Sequence, residues 1–64
     1  MIFYFTFPCI HPLGNGWIEV EARSMLEAIA KFKEHFGLKF AASYFAEDFN
    51  KNMFPDGKQG NTIK

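Results

Sequence analysis

The chain has 64 residues, including nine phenylalanines and a single cysteine, and its seven basic and seven acidic residues give a formal net charge of zero. This length limits it to one small domain, and the balanced charge argues against a protein held to nucleic acid through many phosphate contacts. The lone Cys9 excludes an internal disulfide and suits a reducing cytosol. No apolar run reaches the roughly 18–20 residues of a membrane span, and the signal-peptide pattern is missing, so we expect a soluble cytoplasmic protein.

Two strands joined by a loop are predicted in the N-terminal third. Residues 2–8 alternate in a way that places three rings on one face of the first strand, those of Phe3, Phe5 and Phe7. The loop over residues 9–16 carries strong turn signals in Pro12 and in Gly-Asn-Gly. The second strand is predicted from about Trp17 to Ala22, and the two strands form a hairpin.

A helix follows the hairpin. Ser24 and Glu27 have the spacing of a capping box, in which each side chain satisfies a free backbone N–H of the other residue. Gly37 is the expected left-handed stop. The apolar residues at helical spacing are Met25, Ala28, Ile29, Phe32 and Phe36. We expect this face to cover the aromatic stripe of the first strand.

The C-terminal half contains weaker signals. Residues 38–45 are predicted to form a third strand, although its alanines are poor strand formers. Residues 46–52 suggest one or two helical turns, and Pro55-Asp56-Gly57 is a turn. The polar residues 58–64 are predicted to be a flexible, frayed tail.

These elements predict an α+β fold of order ββαβ. The right-handed crossover rule places the third strand beside the first, so we expect a three-stranded antiparallel sheet of order 2-1-3 packed on one helix. The first strand is then central. A short helical turn and the tail complete the chain, which gives a single domain over residues 1–57 and a tail over residues 58–64.

The sheet face opposite the helix is the candidate functional surface. Tyr4 and Trp17 lie there side by side, together with Glu19. Three interpretations are open: a lid formed by Phe49, Met53 and Phe54, a dimer or partner interface, or a platform for stacking bases. The candidate partner contacts are Tyr4, Trp17, Glu19, Glu21, Glu47 and Asp48.

Catalytic, metal and cofactor sites are not predicted. Cys9 and His11 could begin a metal site, but zinc needs three or four ligands in suitable spacing. As a nucleophile and base, the same pair has no apparent third group to orient it. A chain of this size can hardly enclose the pocket that general acid–base chemistry needs. We therefore expect a binding protein and not an enzyme.

Several stretches resemble a class of small phage and prophage proteins. The shared pattern is an aromatic strand, a Gly-rich turn, a second strand with an Ile/Val-Glu-Ala character, a Glu/Ala helix, Phe-Gly, and an aromatic strand before an acidic turn. The matching residues are Phe3-Tyr4-Phe5-Thr6-Phe7, Gly16-Trp17-Ile18-Glu19-Val20-Glu21-Ala22, Glu27-Ala28, Phe36-Gly37-Leu38-Lys39-Phe40-Ala41, Tyr44 and Glu47-Asp48-Phe49.

Some proteins of that class act against host defence, and anti-CRISPR proteins are among them. The resemblance implies an inhibitor that binds a Cas protein or CRISPR effector complex in the host cytoplasm and blocks DNA binding or a conformational step. It supplies no shared active-site residues. The alternative function is a small nucleic-acid-binding regulator that uses the aromatic sheet face, and a homodimer is a further possibility.

Overall fold

The computed structural model describes residues 1–8, 12, 14–37 and 40–64. Within these ranges, one helix and four strands account for most of the regular structure, and two short 3₁₀ turns separate the last two strands. The elements are β1 (Ile2–Thr6), β2 (Gly16–Glu21), α1 (Met25–Phe36), β3 (Ala42–Phe45) and β4 (Gly57–Lys58), with 3₁₀ turns at Ala46–Asp48 and Lys51–Met53.

The four strands form one mixed sheet of order β3-β1-β2-β4. β1 is antiparallel to both β2 and β3, so the predicted central position of the first strand is confirmed. The prediction of three strands is wrong, because β4 adds a fourth that runs parallel to β2. The fold class, α+β with one helix, is confirmed.

The helix covers one face of the sheet. Its buried residues Ala28 and Phe32 have no exposed surface, and Phe32 stacks on Phe5 of β1 with ring centroids 5.0 Å apart. Burying one such ring stabilises the fold by about 1.5–3 kcal/mol. The core between helix and sheet consists of Phe3, Phe5, Phe7, Ile18, Val20, Ala22, Ala28 and Phe32.

Both ends of α1 follow the local sequence signals. Ser24 is the N-cap, and its Oγ accepts a hydrogen bond of 3.2 Å from the backbone N–H of Glu27. The Glu27 carboxylate pairs with Lys31 instead, at 3.4 Å. Gly37 has a φ of 67° and donates its N–H to the carbonyl of Lys33, so the predicted left-handed stop is confirmed.

The third strand is shorter than predicted. Phe40 and Ala41 lie before β3, while the predicted strand positions 38–39 lie outside the described residues. The Phe40 ring packs edge-on against Phe5 and Phe32 in the core, at 5.0 and 5.8 Å. A bend at Ala41 makes this possible, because regular alternation would place Phe40 on the opposite face from Phe5.

Two residues of the predicted C-terminal tail, Lys58 and Ile63, pair with β2 at the edge of the sheet. Gln59 donates its N–H to the Trp17 carbonyl at 2.8 Å, and Ile63 donates to Glu19 and accepts from Glu21, at 2.9 and 2.7 Å. Ile63 also packs against the core. The outer edge of β2 offers backbone groups that need partners, and residues 57–63 supply them.

Candidate functional site

The sheet face opposite the helix is aromatic and closed. The strand register places Tyr4 beside Glu19 on one side and beside Tyr44 on the other, and Trp17 lies opposite Thr6. Because directly paired residues share a face, these side chains form one surface. Tyr4 and Trp17 are only 8% and 7% exposed, so they do not form an open contact surface.

Residues 46–54, which we call the lid, cover this face through Phe49. The Phe49 ring stacks on Tyr4 with centroids 4.6 Å apart and planes 8° apart, and it meets Trp17 edge-on at 5.7 Å. Tyr44 and Phe54 flank the same ring at 5.3 Å each. Of the three interpretations of this face, the structure shows the lid.

The lid does not use the predicted residue Met53, whose side chain is 72% exposed. The spacing of Phe49 and Met53 predicted one helical face, but the lid consists of two 3₁₀ turns interrupted at Phe49 and Asn50. The amides of Asn52, Met53 and Phe54 donate within the lid, to Asn50 and Lys51. Ring contacts, and not these local bonds, therefore fix the lid on the sheet.

A cation lies against the same rings. Lys51 Nζ is 5.4 Å from the Tyr4 centroid and 5.1 Å from the Trp17 centroid, within the range of a cation–π interaction. The lid thus presents an apolar ring and, two residues later, a positive charge to one pair of aromatic side chains. No sequence motif indicates this arrangement, because it depends on how the lid folds back.

Trp17 carries an unsatisfied donor. Within the described residues, its Nε1 is the buried side-chain polar atom that has no hydrogen-bond partner. Leaving a buried donor unpaired costs about 1–3 kcal/mol. The indole of Trp17 therefore contributes packing to this face while its N–H group reduces the stability of the closed arrangement.

Glu19 joins the aromatic face to the C-terminal segment. Tyr4 Oη donates to one carboxylate oxygen at 3.1 Å, and Thr62 Oγ1 donates to the other at 2.8 Å. Lys58 Nζ lies 2.9 Å from that second oxygen and also donates to Thr62 at 2.9 Å. The hydrogen bond from Lys58, followed by that from Thr62, lowers the pKa of Glu19 below its ordinary value, with a smaller contribution from Tyr4. Glu19 is therefore a structural anion with its acceptors occupied.

The remaining predicted contact residues are exposed but scattered. Glu21 lies at the end of β2, where its backbone carbonyl accepts a 2.8 Å hydrogen bond from Lys31 Nζ. Glu47 and Asp48 are exposed in the 3₁₀ turn after β3. The structure therefore separates the six candidates: Tyr4, Trp17 and Glu19 lie under or beside the lid, while Glu21, Glu47 and Asp48 face solvent.

A surface that the sequence analysis missed lies at the β3 edge of the sheet. Phe45, the last residue of that edge strand, is 44% exposed, and Met1 is 72% exposed. Both border a shallow depression that Glu47 also lines. We call this the edge surface, and its residues are Met1, Ile2, Phe45, Ala46 and Glu47. The position of Phe45 at the end of an aromatic strand, directly before an acidic turn, is the signal that could have indicated it.

Metal binding finds no support among the described residues, where no group of three or more His, Cys, Asp or Glu side chains is arranged to hold an ion. The pair considered from the sequence, Cys9 and His11, lies outside those residues. In the same described part of the chain, no helix has the length and apolar character to cross a membrane.

Comparison of the chain with protein-family models, with curated proteins and with solved structures finds no match. The chemistry of the described surfaces therefore carries the functional proposal. Two of those surfaces are notable among the described residues: an exposed apolar and acidic patch at one edge, and an aromatic face covered by the chain's own lid.

Proposed function

We propose that this protein acts by binding another protein through its edge surface. The observation that carries the proposal is the exposure of Phe45 and Met1 around a depression bordered by Glu47. Large apolar side chains within an otherwise polar surface mark sites of protein contact. β3 is also an edge strand, whose outer backbone groups can pair with a strand of a partner.

The charge of this region indicates the kind of partner. Glu47 and the adjacent Asp48 are both exposed and acidic. Such carboxylates complement a basic surface, and proteins that hold nucleic acid carry surfaces rich in Lys and Arg. The proposed partner is therefore a nucleic-acid-binding protein, with the aromatic Phe45 as the anchor of the contact.

Together with the resemblance to small phage proteins, this surface leads us to propose an inhibitor of the anti-CRISPR type. It would act inside the host bacterial cell by binding a Cas protein or effector complex stoichiometrically, blocking DNA recruitment or a conformational step. The alternative of a nucleic-acid-binding regulator has less support. Phe49 occupies the ring face of Tyr4 on which a base would stack, and the chain has no basic excess.

The test is an interference assay in bacteria that carry an active CRISPR–Cas system and are challenged with a targeted plasmid. We expect the wild-type protein to restore plasmid uptake. The double variant Phe45→Ser with Glu47→Lys should lose this effect, since removal of an aromatic anchor weakens binding by about 2 kcal/mol or roughly thirtyfold.

The matched control is Leu26→Ser. Leu26 is 80% exposed on α1 and does not line the edge-surface depression, so its substitution should leave inhibition unchanged. Circular dichroism must show that both variants are folded. Equal plasmid uptake with and without the wild-type protein would contradict the proposed inhibitor, and full activity of the folded double variant would contradict the edge surface.

A further inference from the structure

The aromatic site under the lid has the composition of a ligand-binding site that the chain fills itself. Tyr4 supplies a ring face, Trp17 a second ring and Tyr44 a side wall around Phe49. Face-to-face and edge-on contacts at these distances are the preferred geometries of aromatic pairs. The site therefore favours one flat aromatic side chain.

The second component is the cation. Lys51 Nζ lies over both Tyr4 and Trp17, at 5.4 and 5.1 Å. Its attraction to the rings depends on a positive charge near the ring face and not on a specific backbone. Phe49 and Lys51 together thus show which ligand chemistry the site accepts: an aromatic residue followed two positions later by Lys or Arg.

The lid is an incomplete occupant of this site. The buried Nε1 of Trp17 has no acceptor among the described residues, and three lid amides donate only within the lid. A segment with a hydrogen-bond acceptor for the Trp17 Nε1–H group would bind this site roughly tenfold more tightly than a segment without one. β3 precedes the lid and β4 follows it, so the lid can open as a loop while the sheet remains paired.

We propose that this site binds a segment of another protein in which an aromatic residue is followed two positions later by Lys or Arg, and that the lid closes the site until such a segment displaces Phe49. The site lies on the opposite sheet face from Phe45 of the edge surface, although Ala46 and Glu47 belong both to the lid and to the edge surface. The proposal does not depend on the proposed inhibitory function. It assigns a binding role to Tyr4 and Trp17 that their burial in the closed form conceals.

The test uses a synthetic peptide with the sequence of residues 46–55 as the probe and the full-length Phe49→Ala variant as the receptor. Trp17 is the single tryptophan of the chain, and residues 46–55 contain none, so its emission reports on the site. We expect the variant to emit at longer wavelength than the wild type, and the peptide to reverse this shift saturably.

Matched peptides define the chemistry. Replacement of Phe49 by Ala in the peptide should weaken binding by at least about tenfold, and replacement of Lys51 by Glu by about threefold. The wild-type protein should bind the peptide at least about tenfold more weakly than the variant, because its own lid competes. Adding Phe45→Ser to the receptor removes a ring that packs on Phe3, on the sheet face opposite Tyr4. It should therefore leave the peptide affinity of the folded receptor unchanged, which separates this site from the anchor of the edge surface.

A second measurement uses the wild-type protein alone, in case Phe49→Ala does not fold. In native-state hydrogen exchange, the amides of Asn52, Met53 and Phe54 should exchange through a local opening that is insensitive to low urea, while those of Phe3 and Phe5 follow global unfolding. The proposal is overturned if these lid amides exchange only with global unfolding. A folded variant that binds no peptide, or binds the Ala peptide equally well, overturns it as well.

Discussion

Glu19→Gln tests whether the carboxylate that joins the aromatic face to the C-terminal segment stabilises the fold through its charge. Glutamine has nearly the same shape, so the substitution removes the charge and leaves the packing. Three groups contact the carboxylate in the wild type: Tyr4 Oη at 3.1 Å, Thr62 Oγ1 at 2.8 Å and Lys58 Nζ at 2.9 Å.

The expected loss of stability follows from these contacts. Glutamine keeps one acceptor oxygen for the Thr62 hydroxyl, while its N–H2 group can only donate, so the Tyr4 contact has to reverse and Tyr4 Oη accepts. Both contacts are then neutral hydrogen bonds worth about 1 kcal/mol, and because a charged acceptor strengthens such a bond, each contact loses about 0.5 kcal/mol. The Lys58 side chain is 37% exposed, and solvent screening leaves that ion pair only about 0.5 kcal/mol. We therefore expect Glu19→Gln to lower the free energy of unfolding by about 1.5 kcal/mol, which corresponds to a fall in Tm of about 6–12 °C.

The effect should depend on pH in a defined direction. The pKa of Glu19 is lowered in the folded state, so the stabilisation by its charge is fully present above the ordinary glutamate pKa of about 4.3. It is lost as the pH falls through the lower, folded-state pKa. Urea denaturation of both proteins at about pH 7 and about pH 3 should show a difference in stability that shrinks on acidification.

Glu34→Gln is the matched control, because Glu34 is exposed on α1. It removes the same charge and should change the free energy of unfolding by less than about 0.5 kcal/mol. The reasoning is refuted if Glu19→Gln and the wild type are equally stable near pH 7. A difference that persists undiminished in acid would refute the electrostatic explanation and point to packing.

Three further substitutions test the fold, each by urea denaturation followed by circular dichroism. Phe32→Ala removes a fully buried ring and should lower the free energy of unfolding by about 3–5 kcal/mol. A chain of this length is expected to have a total stability of about 3–10 kcal/mol, so a large share of the molecules should be unfolded. Retention of the wild-type urea midpoint would contradict the assigned core. Gly37→Ala places a Cβ at a φ of 67° and should cost about 1 kcal/mol, whereas no loss would argue against the left-handed C-cap. In Gly16→Ala, the added Cβ would collide with the Gln59 side chain and should lower the free energy of unfolding by about 1–2 kcal/mol. Adding Gln59→Ala in the same chain should restore most of the lost stability. If the losses of the two substitutions were instead additive, the pairing of residues 57–63 with β2 would be contradicted.

Local signals in the sequence were sufficient for the first half of the fold. Alternation of Phe3, Phe5 and Phe7 predicted β1, and Ser24 with Gly37 predicted the limits of α1, because caps and strand faces depend on residues close in the chain. The crossover rule then placed β3 next to β1. These predictions are confirmed by the sheet order and by the helix boundaries.

The C-terminal half could not be predicted in the same way. Gly57 and Lys58 have little strand character, and Ile63 is a single strand-forming residue in a polar segment. They join the sheet because the free edge of β2 supplies hydrogen-bonding partners. Phe40 departs from strand alternation, and its ring packs in the core against Phe5 and Phe32. Both outcomes depend on contacts between residues far apart in the sequence.

The features of the candidate site also separate into those set by local sequence and those set by contacts between distant residues. The sequence by itself determined that Tyr4, Trp17 and Glu19 share the sheet face opposite the helix, since strand periodicity decides which residues lie together. Only the tertiary structure decided that Phe49 closes this face, that Lys51 lies over its rings and that Phe45 is left exposed at the edge. The physical reason is the distance along the chain between the residues that interact. Strand periodicity depends on neighbouring residues, whereas the covering of a sheet face depends on which distant segment buries its apolar side chains against that face.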